Sequence, residues 1–170
     1  MAHIEEAPAD SGERRWLLTL PAPEAALLAA LPDQLARLLA HPDSNRRIID
    51  RLFPASYSDP SQEREHRQLL GSSLLESRRE LLADVRMLLA SGVRSRKGLR
   101  LLLGPGSTDQ LLRFLNDMRL VLATDLGVEK NLGDLDIPAD HPEAPKYALL
   151  VYLGGLESVL VEMLIGNPGF

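Results

Sequence analysis

The sequence predicts a mainly α, single-domain bundle of about five helices, with at most a short two-stranded β ribbon. Three observations lead there. Leucine supplies 36 of 170 residues while aromatics supply only 4%, and γ-branched side chains of this kind favour helix. Apolar residues recur at helical spacing through most of the chain. Only two short runs, "RRWLLTL" (14–20) and "LRLLL" (99–103), read as strands.

The elements follow in order. Residues 1–13 are polar and rich in Ala, Pro and Glu, so they are expected as a disordered N-terminal tail before a single helical domain over 14–166. The first strand candidate stops at Pro21. A helix then runs from Pro23 and Glu24 to about His41, with a kink expected at Pro32. "SNRRIIDRLF" (44–53) is a short helix ended by Pro54. The longest helix spans 61 to about 91, is closed by Gly92, and carries the ion-pair spacing Glu63/Arg67; Gly71, Ser72 and Ser73 are its weak point. "VRSRKG" is a basic loop before the second strand candidate. Ser107 with Gln110 reads as a capping box opening a helix that ends near Gly127. An acidic loop follows, and a last helix runs from about Pro145 to Ile165. "RWLLTLPAPEAALLAAL" and "LRLLLGPGSTDQLLRFL" align as two strand–turn–helix units, whose strands are expected to pair because a lone strand leaves its backbone groups unsatisfied.

Composition excludes several functions. There is no cysteine, hence no disulfide, thiolate nucleophile or Cys-ligated metal. The net charge of −5 disfavours general nucleic-acid binding. The N-terminus lacks a secretory h-region, and the apolar run 147–165 contains Glu157 and Glu162, which are costly in a membrane. A soluble cytoplasmic protein is expected.

The polar residues that need explaining lie within apolar stripes. At 100° per residue, Arg119 falls between Leu112 and Leu126 at the edge of the buried side, with Asn116 beside it, while Asp117 falls opposite and is expected to face outward or towards a basic neighbour. Arg67 and Arg78 project within the stripe of the longest helix. Glu157 falls between Leu150 and Leu164. A charge buried alone costs several kcal/mol, so these groups are expected to meet, with Glu157 as the partner of Arg119. A structural lock is the leading reading of Arg67, Arg78, Asn116, Arg119 and Glu157; a ligand or partner anchor comes second and catalysis last. No catalytic residue, metal ligand set or cofactor site is assigned. Glu63 and His66 have the spacing of half a carboxylate-bridged metal motif, without a second copy. "GPGST" lacks the lysine of a phosphate loop, and Asp134, Asp136, Asp140, His141 and Glu143 lack the spacing of an EF-hand. The basic run "RSRKGLR" (94–100) reads as an exposed turn.

Two of these stretches, "RLFPASYSDPSQEREHRQL" (51–69) and "LLRFLNDMRLVLATDLGV" (111–128), followed by "YLGGLESVLV" (152–161), resemble the DUF2017 family of uncharacterised, mostly actinobacterial proteins. The resemblance covers roughly 16–164 and takes in Arg67, Asn116, Asp117 and Arg119. His66 departs from it, standing where an aromatic is usual, as does Gly154-Gly155-Leu156-Glu157. It implies a cytoplasmic helical protein with no established activity, whose gene often lies near that of a Clp-protease adaptor.

The leading functional reading is therefore a non-enzymatic interaction or regulatory domain with a protein partner, tied through that neighbourhood to regulated proteolysis. A small-molecule or anion-binding protein, including a cryptic enzyme, using the arginine cluster is the alternative, and a transcription regulator acting through the basic loop is a third. A deep polar pocket at the arginines favours the second; a large exposed apolar groove favours the first. The last helix, apolar almost all round, further predicts a homodimer through it, with close approach at Gly154 and Gly155.

Overall fold

The computed structural model describes residues 1–7, 14–128, 138 and 140–165. Among them the elements are β1 (His3–Glu6), β2 (Trp16–Pro21), α1 (Ala22–Ala40), α2 (Arg46–Leu52), α3 (Pro60–Ser91), β3 (Val93–Ser95), β4 (Gly98–Leu103), α4 (Pro105–Asp125) and α5 (Ala144–Ile165). The described residues are mainly α, with five helices.

The β region corrects the expected ribbon. It is a four-stranded antiparallel sheet in the order β1-β2-β4-β3. The two strand candidates do pair at its centre, with Leu18 opposite Leu101 and Trp16 opposite Leu103. Two short edge strands extend them. β1 lies within the expected tail, where His3 stands opposite Thr19; residues 8–13 of that tail lie outside the described residues. β3 forms a hairpin with β4 from the expected basic loop. Both edges are polar or three residues long, so their strand character comes from the neighbour they pair with.

The sheet packs by one face. Trp16, Leu18 and Leu20 on β2 and Leu99, Leu101 and Leu103 on β4 alternate inward and are buried, as period-two geometry requires. The strand leucines join leucines from all five helices in one core. α4 is the central helix: it packs on α2, α3 and α5 and touches β4. Its N-terminus also differs from the expected capping box. The helix opens at Pro105 after Gly104, and the Ser107 hydroxyl accepts the Gly104 N–H at 2.9 Å. α3 opens as a first-turn proline allows, with the Asp59 carboxylate accepting the N–H groups of Ser61 and Gln62. α1 runs continuously through the buried Pro32, and α3 through Gly71.

The turn into β4 is the tightest point of the sheet. Gly98 has φ of +146°, and a Cβ there would lie 1.9 Å from the Leu20 carbonyl oxygen. Gly98→Ala is expected to destabilise by about 2 kcal/mol or more, since both strain and clash act on it. Gly71→Ala, in open space in the middle of α3, should instead gain about 0.5–1 kcal/mol. Urea melts of the two variants check the contrast.

Candidate functional site

The five singled-out residues do not form one cluster. Among the described residues they fall into separate ion-pair locks, and one of them stands apart.

Arg67 lies on the first half of α3, which the core touches only lightly. Its Nε donates to Glu63 at 2.8 Å, its Nη1 to Asp50 at 2.9 Å and its Nη2 to the Phe53 carbonyl at 3.3 Å. Glu63 in turn accepts the N–H groups of Ser56 and Tyr57 at 2.8 and 3.0 Å. Arg67 first, and then the Tyr57 and Ser56 amides, hold the Glu63 carboxyl below its ordinary pKa. These contacts fasten α3 to the segment after α2. The two residues of the metal spacing have other contacts here: Glu63 is bonded to Arg67, and the His66 and Tyr57 rings lie T-shaped with centres 5.3 Å apart.

Arg78, further along α3, sits between Phe53 and α4. Its guanidinium carbon is 5.6 Å from the Phe53 ring centre, and its Nε is 3.0 Å from Asp117 Oδ2. The N–H is not aimed at that oxygen, so the contact is an ion pair without a hydrogen bond. Asp117 is 1% exposed. Burial pushes its carboxyl up to about 6 even though Arg78 pulls the other way. Of the two orientations expected for Asp117, the structure takes the second, towards a basic neighbour, Arg78. Asp117 faces inward, while Asn116 is exposed and its side chain makes no hydrogen bond among the described residues. α4 has neighbours on three sides, so its buried arc is wider than a single stripe and takes in position 117.

Arg119 and Glu157 do meet. The Arg119 Nη1 donates to Glu157 Oε2 and ties α4 to α5. Glu157 is the more buried partner. The Arg119 side chain lies against Gly154, where a Cβ would meet its Nε at 3.5 Å, an ordinary contact.

A further feature is an apolar groove of about 1060 Å³ between α1 and α5, whose place no helix pattern in the sequence gives. Met118, Val121 and Leu122 of α4 line its floor, Leu27 and Leu38 of α1 line one wall, and Ala148, Leu149 and Tyr152 of α5 the other; Ile48 of α2 joins them. Polar groups sit at the rim. Lys146 is held by Asp125 and Glu143 at 2.8 and 2.7 Å, whereas Arg37 has no ion-pair partner among the described residues. The Tyr152 hydroxyl donates to Glu24 at 2.8 Å and joins the two walls. The signal available in the sequence was an excess of apolar positions, notably Leu27, Ile48 and Ala148, beyond what one buried face per helix uses.

The remaining constellations bring little together. "GPGST" is the turn and first turn of α4. Arg94, Arg96, Lys97 and Arg100 are on the exposed β3–β4 hairpin. Asp134 and Asp136 of the acidic loop lie outside the described residues. No group of three or more His, Cys, Asp or Glu arranged to hold a metal occurs among the described residues.

Two measurements follow from the locks. The folded chain keeps a proton on Asp117 up to about pH 6, whereas the ordinary value is 3.8. Between these values the folded state binds more protons than the unfolded one, so this group lowers stability as pH rises from about 4 to about 6 and adds no further slope above that. Asp117→Asn should flatten the fall across that window, read from urea midpoints at stepped pH. For the second pair, Arg119→Ala should cost about 1–3 kcal/mol, less than for full burial because Arg119 is partly exposed. Arg119→Met combined with Glu157→Leu should recover much of the loss. Additive losses in a double-mutant cycle would show that the pair is not coupled.

No curated protein and no solved structure matches the chain. A family model described as a domain of unknown function, DUF2017, matches residues 5–164. That span takes in all five helices apart from the last residue of α5 and every lock described above, so the chain belongs to the DUF2017 family.

Proposed function

We propose that this protein is a non-enzymatic interaction domain that docks an apolar protein segment in the groove between α1 and α5. The observation that carries the reading is the groove itself, open and lined mainly by aliphatic side chains. Helix-in-groove recognition uses a surface of this kind. The arginines support the same reading by default: Arg67, Arg78 and Arg119 each face a carboxylate of their own chain, in separate places. A cytoplasmic setting and a role beside regulated proteolysis belong to this proposal and rest on the family resemblance.

The anion-binding alternative has its best location in a cleft of about 340 Å³ lined by Arg46, Arg64, Arg67 and Ile49. Arg46 and Arg67 both already contact Asp50 there, which leaves Arg64 as the principal free donor.

A photo-crosslinking side chain at Gln34, in the groove wall, separates the two. Exposed to native cytosol, it should give discrete protein adducts, lost when Ile48→Glu puts a charge in the groove and missing for the same probe at Glu76. No protein adduct, together with a thermal shift by inorganic phosphate that requires Arg64, would replace the interaction domain with the anion-binding reading.

A further inference from the structure

We propose that the groove is filled by the C-terminal half of α5 from a second copy of this chain, in an antiparallel two-fold pair centred on Gly155. This rests on the groove being an interaction surface and goes further by naming its occupant.

α5 carries two apolar seams. The inner one includes Leu153, Leu156 and Leu160, all buried in the core together with Leu150. These leucines serve the bundle, so they are not available to a partner. The outer seam is Ala148, Tyr152, Gly155, Val159 and Glu162, with the alternating four–three spacing of helix-pair contacts. Apart from Tyr152, which is half-buried and bonded to Glu24 of α1, it has no covering element among the described residues. At its end, α5 exposes Val161, Leu164 and Ile165, the last 75% exposed. The helix is apolar and long enough by composition to cross a membrane, with a mean hydropathy of 1.9, yet only 22% of that window is buried.

The groove and the exposed helix end fit one another through a two-fold axis. Ala148 and Tyr152 at the start of the outer seam are also groove wall. Position 155 is midway between 148 and 162, so antiparallel pairing about Gly155 lays the end of each helix over the other copy's groove. Leu27 to Leu38 of α1 mark a groove wall about 16 Å long at 1.5 Å per residue, and residues 155–165 span about 15 Å. No heavy atom lies within 4 Å of a Cβ built at Gly155, which leaves room for close helix approach. Charge agrees as well. Glu162 on the outer seam and Arg37 on the groove rim are both without an ion-pair partner among the described residues. The pairing brings Glu162 of one copy to the rim of the other, twice by symmetry.

Sedimentation equilibrium of the full chain up to about 200 µM, a range that covers weak interfaces, tests this. A dimer is expected. Gly155→Leu should give a monomer with unchanged far-UV circular dichroism. Glu162→Arg should weaken the dimer about tenfold by like charge against Arg37, and adding Arg37→Glu should restore most of it. A dimer indifferent to all three changes would overturn the arrangement, as would a wild-type monomer that floats with phosphatidylglycerol vesicles. A wild-type monomer whose groove still crosslinks a different protein would remove the second copy and leave the interaction domain standing. A monomer with no groove adduct would remove both.

Discussion

A carboxylate almost cut off from water at the middle of the central helix constrains everything around it. Asp117 cannot be left alone at neutral pH, and Arg78 is the charge that answers it. Because Arg78 comes from α3 and also stacks over Phe53, the pair sets three elements at once: α3 along one side of α4, and the end of α2 beneath the guanidinium. Arg67 acts on the same segment from one end of α3, holding the Phe53 carbonyl while Glu63 holds the amides of Ser56 and Tyr57. The motif "RLFPASY" thus reads physically as a strap. Its carbonyl and amides are gripped from the first half of α3, by Arg67 and Glu63, and its ring from further along, by Arg78. Replacing such pairs with apolar groups is often neutral or favourable, so what they supply here is position.

Position matters because the groove is a by-product of how the helices are held. With α2 and α3 fastened on one side and Arg119 fixing α5 on another, α4 keeps one strip turned to the space between α1 and α5. Met118, Val121 and Leu122, themselves buried, then form the bottom of a channel whose exposed apolar surface comes from its walls, Leu27 and Ala148 among them. The Tyr152–Glu24 hydrogen bond ties these walls at one point. A protein that needed only stability has little reason to keep so much aliphatic surface in contact with water, at about 25 cal/mol per Å².

Much of this was legible in the residues, and the exceptions share a cause. All five helices announce themselves through leucine spacing and proline or glycine punctuation. The Arg119–Glu157 contact follows from rotating each helix by 100° per residue, because both side chains sit at the margin of one buried face. For Asp117 the same arithmetic left two orientations, outward or towards a basic neighbour, and only the second holds. The method assumes one buried face, and α4 has three neighbours. β1 and β3 were hidden for a related reason: "HIEE" and "VRS" have no pattern of their own and become strands beside β2 and β4. The groove depends on the gap between helices, a quantity that no single helix encodes.

The sheet has a temporal consequence. Its central pairing joins Trp16 to Leu103, so everything from α1 through β3 is enclosed in the loop that this pairing closes. On a ribosome, β2 is made early and then waits, apolar and unpaired, until β4 has emerged. Long-range pairing of this type is slow compared with helix formation. Helices α1 to α3, local in sequence, are therefore expected to take shape before the central strands pair. The polar edge strand β1, made even earlier than β2, is at hand during that interval to cover one side of it and shield it from neighbouring nascent chains.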